Sequence, residues 1–287
     1  MRVTLLGTGC PIADLRRYGP ATLIESGPET WLVDCGSGVT QRLLGHGTNS
    51  AAITGLLLTH LHSDHTIDFM QLLISGWHQN RAGPLRVYGP RRTQEFFGDL
   101  LAAWEPEFKQ RSAHELRTRD GLTVTIEEID GHWSQHTQHT IITNTEVYHQ
   151  PIPQAFGYRF DAQGASAVVS GDTTYCPELV DMAIGCDLLV HEAYVHFEME
   201  AQRTDRPPEA RANLLAYHST PEQAGDVAEG SGAGALALTH WVPSRFDRER
   251  VTAEVRTKYA GPLYLGEDLM CFDVQRGQVT LEEEGKL

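Results

Sequence analysis

The chain reads as an α/β protein in which two β-sheets pack face to face between helices. Three observations predict this. Short apolar strands alternate with segments of helical periodicity from end to end. The two halves alternate in similar ways, which suits two sheets. Histidines and aspartates recur just after apolar strands, at positions 60 to 65, 149, 172 and 240, so that several strand ends converge on one cleft. No low-complexity linker divides the sequence, and residues 1–287 are expected to form a single domain.

Val3-Thr4-Leu5-Leu6 reads as the first strand, with a glycine turn at Gly7-Thr8-Gly9. Ala21 to Ser26 and Thr30 to Asp34 make a hairpin around Gly27-Pro28. A helix is expected near Thr40 to Leu44, a short buried strand over Gly55 to Leu58, and an amphipathic helix over Thr66 to Ile74. Leu85 to Pro90 is a strand and Thr93 to Trp104 a helix. Strands turning at Asp120-Gly121 are expected between Glu115 and Glu128. Gly131 to His139 is polar and aromatic without periodicity, and His132, His136 and His139 read as solvated loop histidines. Further strands precede His149 and cover Phe156 to Phe160, Ala167 to Ser170, Cys186 to His191 and Ala235 to His240. Helices over Pro221 to Glu229 and Arg245 to Tyr259, then two short strands, close the chain.

The most informative stretch is Thr59-His60-Leu61-His62-Ser63-Asp64-His65, a turn between a strand and a helix. Imidazole nitrogen and carboxylate oxygen suit Zn²⁺ and neighbouring divalent ions. His60 and His62, two apart on extended backbone, point to one side and can hold one ion. Asp64 and His65, past the turn, can hold a second. Asp34, at a strand end, is expected to support a ligand histidine rather than bind metal itself.

Composition narrows the classes. No run of about 18 apolar residues exists, so no membrane span is expected. The first residues read as a strand and lack the pattern of a signal peptide. The 5 cysteines are scattered without a C-x-x-C pair, which points to a reducing compartment, the cytoplasm. A formal charge of −15 disfavours nucleic acid as a partner, because polyanion binding needs a basic face. A small anionic ester could still be drawn to two divalent ions.

The pattern H-x-H-x-D-H at His60 to His65 resembles the signature of the metallo-β-lactamase superfamily. The resemblance runs from the glycine turn at Gly7 to His240-Trp241. It implies an αββα sandwich of two mixed sheets flanked by helices, and a dinuclear site. One ion takes His60, His62 and His149; the other takes Asp64, His65 and His240; Asp172 bridges them. Zinc is expected, with manganese, iron or cobalt as substitutes. His149 with Gly157-Tyr158-Arg159 resembles the H…GYR segment of the tRNase Z and arylsulfatase-like branch. His191-Glu192-Ala193 and His218-Ser219-Thr220 resemble that branch's E-A and H-S-T segments. By that analogy His218 donates a proton to the leaving oxygen while Glu192 orients and charges its imidazole. Asp64, His218 and Glu192 are thus the expected catalytic residues, and a homodimer is expected from the family.

The pattern is broken in one place. The tRNA-gripping arm of tRNase Z enzymes lies between the third histidine and the bridging aspartate, and the short interval from His149 to Asp172 has no room for it. Extra chain instead separates Glu192 from His218. This 194–217 segment, which carries Arg203, Arg206, Pro207, Pro208 and Arg211, is expected to form loops over the metals. The leading expectation is therefore a dinuclear-metal hydrolase of a small phosphodiester or aryl sulfate, attacked by a metal-bridging hydroxide. tRNA 3′ processing, a lactonase or carboxylic-ester hydrolase, and a non-catalytic metal-binding scaffold are the alternatives.

Overall fold

The amino terminus enters the first sheet at once. Arg2–Gly7 (β1) pairs antiparallel with Ala21–Ser26 (β2), which turns into Glu29–Val33 (β3). Gly55–Leu57 (β4), Leu85–Gly89 (β5) and Val124–Glu128 (β6) then add in parallel. Met270–Gln275 (β14) and Gln278–Leu281 (β15) complete the other edge, next to β1. The second sheet runs from Ser134–His136 (β7) through Ile141–Glu146 (β8), Phe156–Ala162 (β9), Ala165–Val169 (β10), Leu188–Tyr194 (β11) and Ala235–Val242 (β12) to Leu263–Leu265 (β13). The computed structural model describes residues 1–202 and 207–282.

The two sheets close on each other through Val3, Leu5, Ile24 and Trp31 from one side and Phe156, Tyr158, Phe160 and Val190 from the other, all fully buried. Helices Val39–His46 (α1), Phe69–His78 (α3) and Thr93–His114 (α4) cover the outer face of the first sheet. Pro177–Met182 (α5), Pro221–Ser231 (α8) and Arg248–Arg256 (α9) cover that of the second. Both sheets are mixed and flanked by helices, as the sequence predicts. In the second sheet β10 to β13 are parallel. Strands β4, β10, β11 and β12 therefore deliver their own last residues, or the residues just beyond them, to one rim, where ligands of parallel sheets gather.

Several boundaries differ from expectation, each for a local reason. Strand β3 stops at Val33 because Asp34 takes a left-handed backbone, φ 62°. The helix begun at Thr93 continues to His114, and a 3₁₀ turn at Asp120–Leu122 replaces the first of the strands expected there. The aperiodic histidine-rich stretch contains the edge strand β7, whose pattern is weak because it packs on one side only. α9 begins at Arg248 because the Asp247 carboxylate accepts from the Glu249 and Arg250 amides as its N-cap. The segment after Tyr194 is not loop but two helices, His196–Gln202 (α6) and Pro208–Tyr217 (α7). Arg203 and Arg206 lie outside the described residues. No described helix is long and apolar enough to cross a membrane.

Candidate metal centre and cleft

Beyond β4 the chain turns through Ser63–Thr66 (α2), and this turn holds four of the seven predicted ligands. The other three arrive from the second sheet, and all seven fall into two clusters able to hold a metal ion. One is His60, His62, His149 and Asp172; the other is Asp64, His65 and His240. His62 Nδ1 lies 2.9 Å from His60 Nε2 and 3.1 Å from His149 Nε2. His65 Nε2 lies 3.2 Å from His240 Nε2, which is 3.3 Å from Asp64 Oδ2. Asp172 Oδ2 faces both clusters, 3.4 Å from His65 and His240 and 3.8 to 3.9 Å from His149 and His60.

The outward hydrogen bonds show why these nitrogens point inward. His65 Nδ1 donates to Asp34 Oδ2 at 2.8 Å. Asp34 also accepts from the Thr59 amide and hydroxyl, each at 2.8 Å, and the Thr59 hydroxyl accepts from His60 Nδ1 at 3.0 Å. His149 Nδ1 donates to the Tyr217 carbonyl at 2.9 Å. A histidine whose Nδ1 carries the proton outward has a bare Nε2 lone pair to offer. This is the donor arrangement that a divalent ion requires, so the residues fit the group.

Charge tells the same story. Burial, with His65 adding to it, holds His60 well below the ordinary imidazole value, and burial lowers His62 and His149 as well. Burial would also lower His65 and His240, but carboxylates win. Asp172 and Asp34 raise His65 well above its usual value, while Asp172 and Asp64 bring His240 to about 9. Asp172 is itself held well below the carboxylate range against its burial, by His240, His65 and His60. The centre of the cluster favours positive charge, which cations held by these residues would supply in place of ligand protons.

Gly171, before Asp172, has φ 61°, and a Cβ there would stand 2.6 Å from the Phe156 carbonyl oxygen. Glycine is needed there because β9 and Thr59 crowd it. His240 also has positive φ, 47°, which is uncommon for a residue with a side chain.

Glu192, at the end of β11, and His218, after α7, meet as expected, with Oε1 2.8 Å from Nδ1. Burial, reinforced by Asp172, pushes Glu192 well up, and burial pushes His218 down to about 4. Nε2 is the ring nitrogen turned away from Glu192. The Thr173 amide also donates to Glu192 Oε1 at 2.8 Å, and Tyr194 stacks on His218 with rings 8° from parallel.

Above the clusters lies a cavity of about 390 Å³. His62, Asp64, Asp172, His218 and His240 form its floor, and Ile12, Met199, Leu214, Tyr217 and Val242 its apolar walls. Met199 and Leu214 come from α6 and α7, so the described parts of the extra chain do line the cleft. Ile12 and Leu214 carry no signal that sequence reading could have used. Trp77, Phe197 and Trp241 belong to the cores, and Trp133 packs against one.

A family model for the beta-lactamase superfamily domain matches residues 29–241. A protein of Mycolicibacterium gilvum named Ribonuclease Z is 38% identical over 286 residues, covering 96% of this chain and 97% of that one. The chain belongs to the metallo-β-lactamase superfamily, in the branch that includes ribonuclease Z. Among solved structures, the short form of human tRNase Z superposes with a TM-score of 0.72 at 22% identity, covering 96% of this chain and all of that one (100%). The metallo-beta-lactamase fold protein YhfI from Bacillus subtilis gives the same score at 21% identity, covering 94% of this chain and 97% of that one. The last two resemblances speak for the fold alone.

One expectation is overturned. Net charge and the missing arm disfavour nucleic acid, yet relatives 36% and 38% identical over nearly their whole length bear the name Ribonuclease Z. A relative matched over 97% of its length has little room for an extra arm of its own. Net charge, moreover, averages over the whole surface, while a polyanion feels the local field.

Proposed function

We propose that the protein is a metal-dependent RNA phosphodiesterase that removes 3′ trailers from precursor tRNA. The observation that carries this is the 38% identity with a ribonuclease Z across nearly the whole of both chains. In this reading His60, His62 and His149 hold one ion, Asp64, His65 and His240 the other, and Asp172 lies between them. Two ions, with zinc the first choice, supply Lewis acidity and a water of lowered pKa. The chain's own residues do the rest. Asp34 and Thr59 hold His65 and His60 in the tautomer that leaves Nε2 bare. His218 carries a proton on Nε2 toward the leaving 3′ oxygen, and Glu192 keeps Nδ1 engaged so that this proton faces the cleft.

The apolar wall of Ile12, Met199, Leu214 and Val242 favours a second substrate class at the same site, small aryl phosphodiesters or aryl sulfates, whose rings it would cover. The five free cysteines agree with a cytoplasmic setting. Purified protein incubated with precursor tRNA is expected to release the trailer, to stop on chelation and to recover with Zn²⁺ or Mn²⁺. Intact RNA beside rapid hydrolysis of bis(p-nitrophenyl) phosphate or nitrophenyl sulfate would replace the tRNA reading with the second.

A further inference from the structure

Next to the metal cleft is a second concavity, of about 630 Å³, lined by Arg16, Arg17, Arg245, Arg248 and Phe246. It shares Ser244 and Arg245 with the cleft, so the two adjoin. Four guanidiniums here meet two carboxylates. Glu267 pairs with Arg17 at 2.9 Å and with Arg248, while Asp14 lies 3.7 Å from Arg16 and 3.8 Å from Arg245. On a chain of net charge −15 this is a local excess of the opposite sign.

The four arginines divide the work. Arg17 is buried and donates to the Ser244 and Gly266 carbonyls and the Thr8 hydroxyl, at 2.7 to 3.1 Å. Its guanidinium also lies over the rings of Trp241 and Phe246. It thereby fixes the trough to β12, the strand that carries His240. The side chains of Arg16, Arg245 and Arg248 are instead 67%, 76% and 52% exposed, with their heads in reach of a ligand.

We infer that this trough carries the phosphate backbone of an RNA strand on one side of the bond cleaved in the neighbouring cleft. The inference rests on the ribonuclease reading above. Guanidinium forks match phosphate oxygens, and several of them in one trough beside the cleft can engage successive phosphates of a strand rather than a single group. The chain's net charge of −15 opposes polyanion binding on average, so a local cluster of guanidiniums is what an RNA strand would need in order to dock. A small ester that ends within the cleft never reaches Arg16 or Arg248, because neither lines it.

The test compares the wild type with R16Q/R248Q and the charge-retaining R16K/R248K. For R16Q/R248Q the KM for precursor RNA should rise several-fold. The dependence of log(kcat/KM) on log salt should flatten by about 1.4, at about 0.7 for each lost contact to a single strand. The lysine pair should recover most of both. Metal content and kcat/KM for bis(p-nitrophenyl) phosphate should stay at wild-type values. An unchanged RNA KM and salt slope overturns the inference. So does an equal loss on RNA and on the small diester, which would make the two arginines supports of the cleft itself. Failure of the wild type to cleave RNA would count against the ribonuclease reading alone. RNA binding followed by fluorescence anisotropy at graded salt, wild type against variant, still decides the trough.

Discussion

The two halves of the candidate metal centre are built in opposite ways. The half from the first sheet, His60 to His65, comes from one turn and is braced by side chains of its own sheet. Asp34 and Thr59 engage His65 and His60 in one connected set of hydrogen bonds. The half from the second sheet, His149, Asp172 and His240, is assembled from three strand ends and braced by backbone. A carbonyl holds His149, a glycine before Asp172 lets the chain pass Phe156 and Thr59, and His240 is itself in a left-handed conformation. A contiguous motif can bring its own supports, whereas a dispersed one depends on where the fold puts its strand ends.

The largest effect should come from the residue that joins the halves. Asp172→Ala is expected to lower kcat by about 10³-fold or more. Losing the shared carboxylate removes several kcal/mol of charge stabilisation, at tenfold per about 1.4 kcal/mol. Elemental analysis should show less metal per chain, and full activity with full metal would end the two-cluster picture. His218→Ala should cost about 10² to 10⁴ in kcat while metal content stays at wild type, as expected of an acid rather than a ligand. Metal loss in that variant would place His218 with the structural supports of the second half.

Thr59→Val sharpens the comparison further. It removes the hydroxyl between Asp34 and His60 and should weaken metal affinity by about 10 to 100-fold in chelator competition, with the fold retained. An unchanged affinity would mean that the first half needs no side-chain bracing. The smallest effect lies behind that half, where His46 at the end of α1 meets Glu25 of β2 at 3.0 Å. The hydrogen bond from His46 holds the Glu25 carboxyl below its ordinary 4.5, against its burial. A carboxyl lowered on folding stabilises the fold above 4.5, and that contribution is lost as pH falls through the depressed value. Denaturant titrations should therefore show a shallower acid limb for His46→Gln than for the wild type. Identical limbs would remove the pair from the stability of α1.

Much of this was legible before folding. The alternation of strand and helix and the polar strand ends were enough for a two-sheet sandwich, because burial imposes its period on the residues that build it. The H-x-H-x-D-H turn was legible because its ligands are neighbours in sequence. His149, Asp172 and His240 were legible as polar strand ends, but their assignment as ligands came through resemblance, since a lone histidine after a strand looks the same whether or not it meets a metal. The histidines at 132, 136 and 139 illustrate this. They lie in or beside an edge strand of the second sheet, and none belongs to either metal-capable cluster.

The sequence by itself determined the fold class, the family and the chemical character of the ligands, for these follow from local pattern and residue type. Tertiary structure decided which nitrogens face inward, because the hydrogen bonds from His65 and Thr59 to Asp34 and from His149 to the Tyr217 carbonyl cross between elements far apart in the chain. It also decided where charge matters. A sum of −15 has no position, and only the fold brings Arg16 and Arg17 beside Arg245 and Arg248 at the edge of the cleft. Coulomb interactions depend on distance and on the dielectric between groups, and neither exists until the chain is folded.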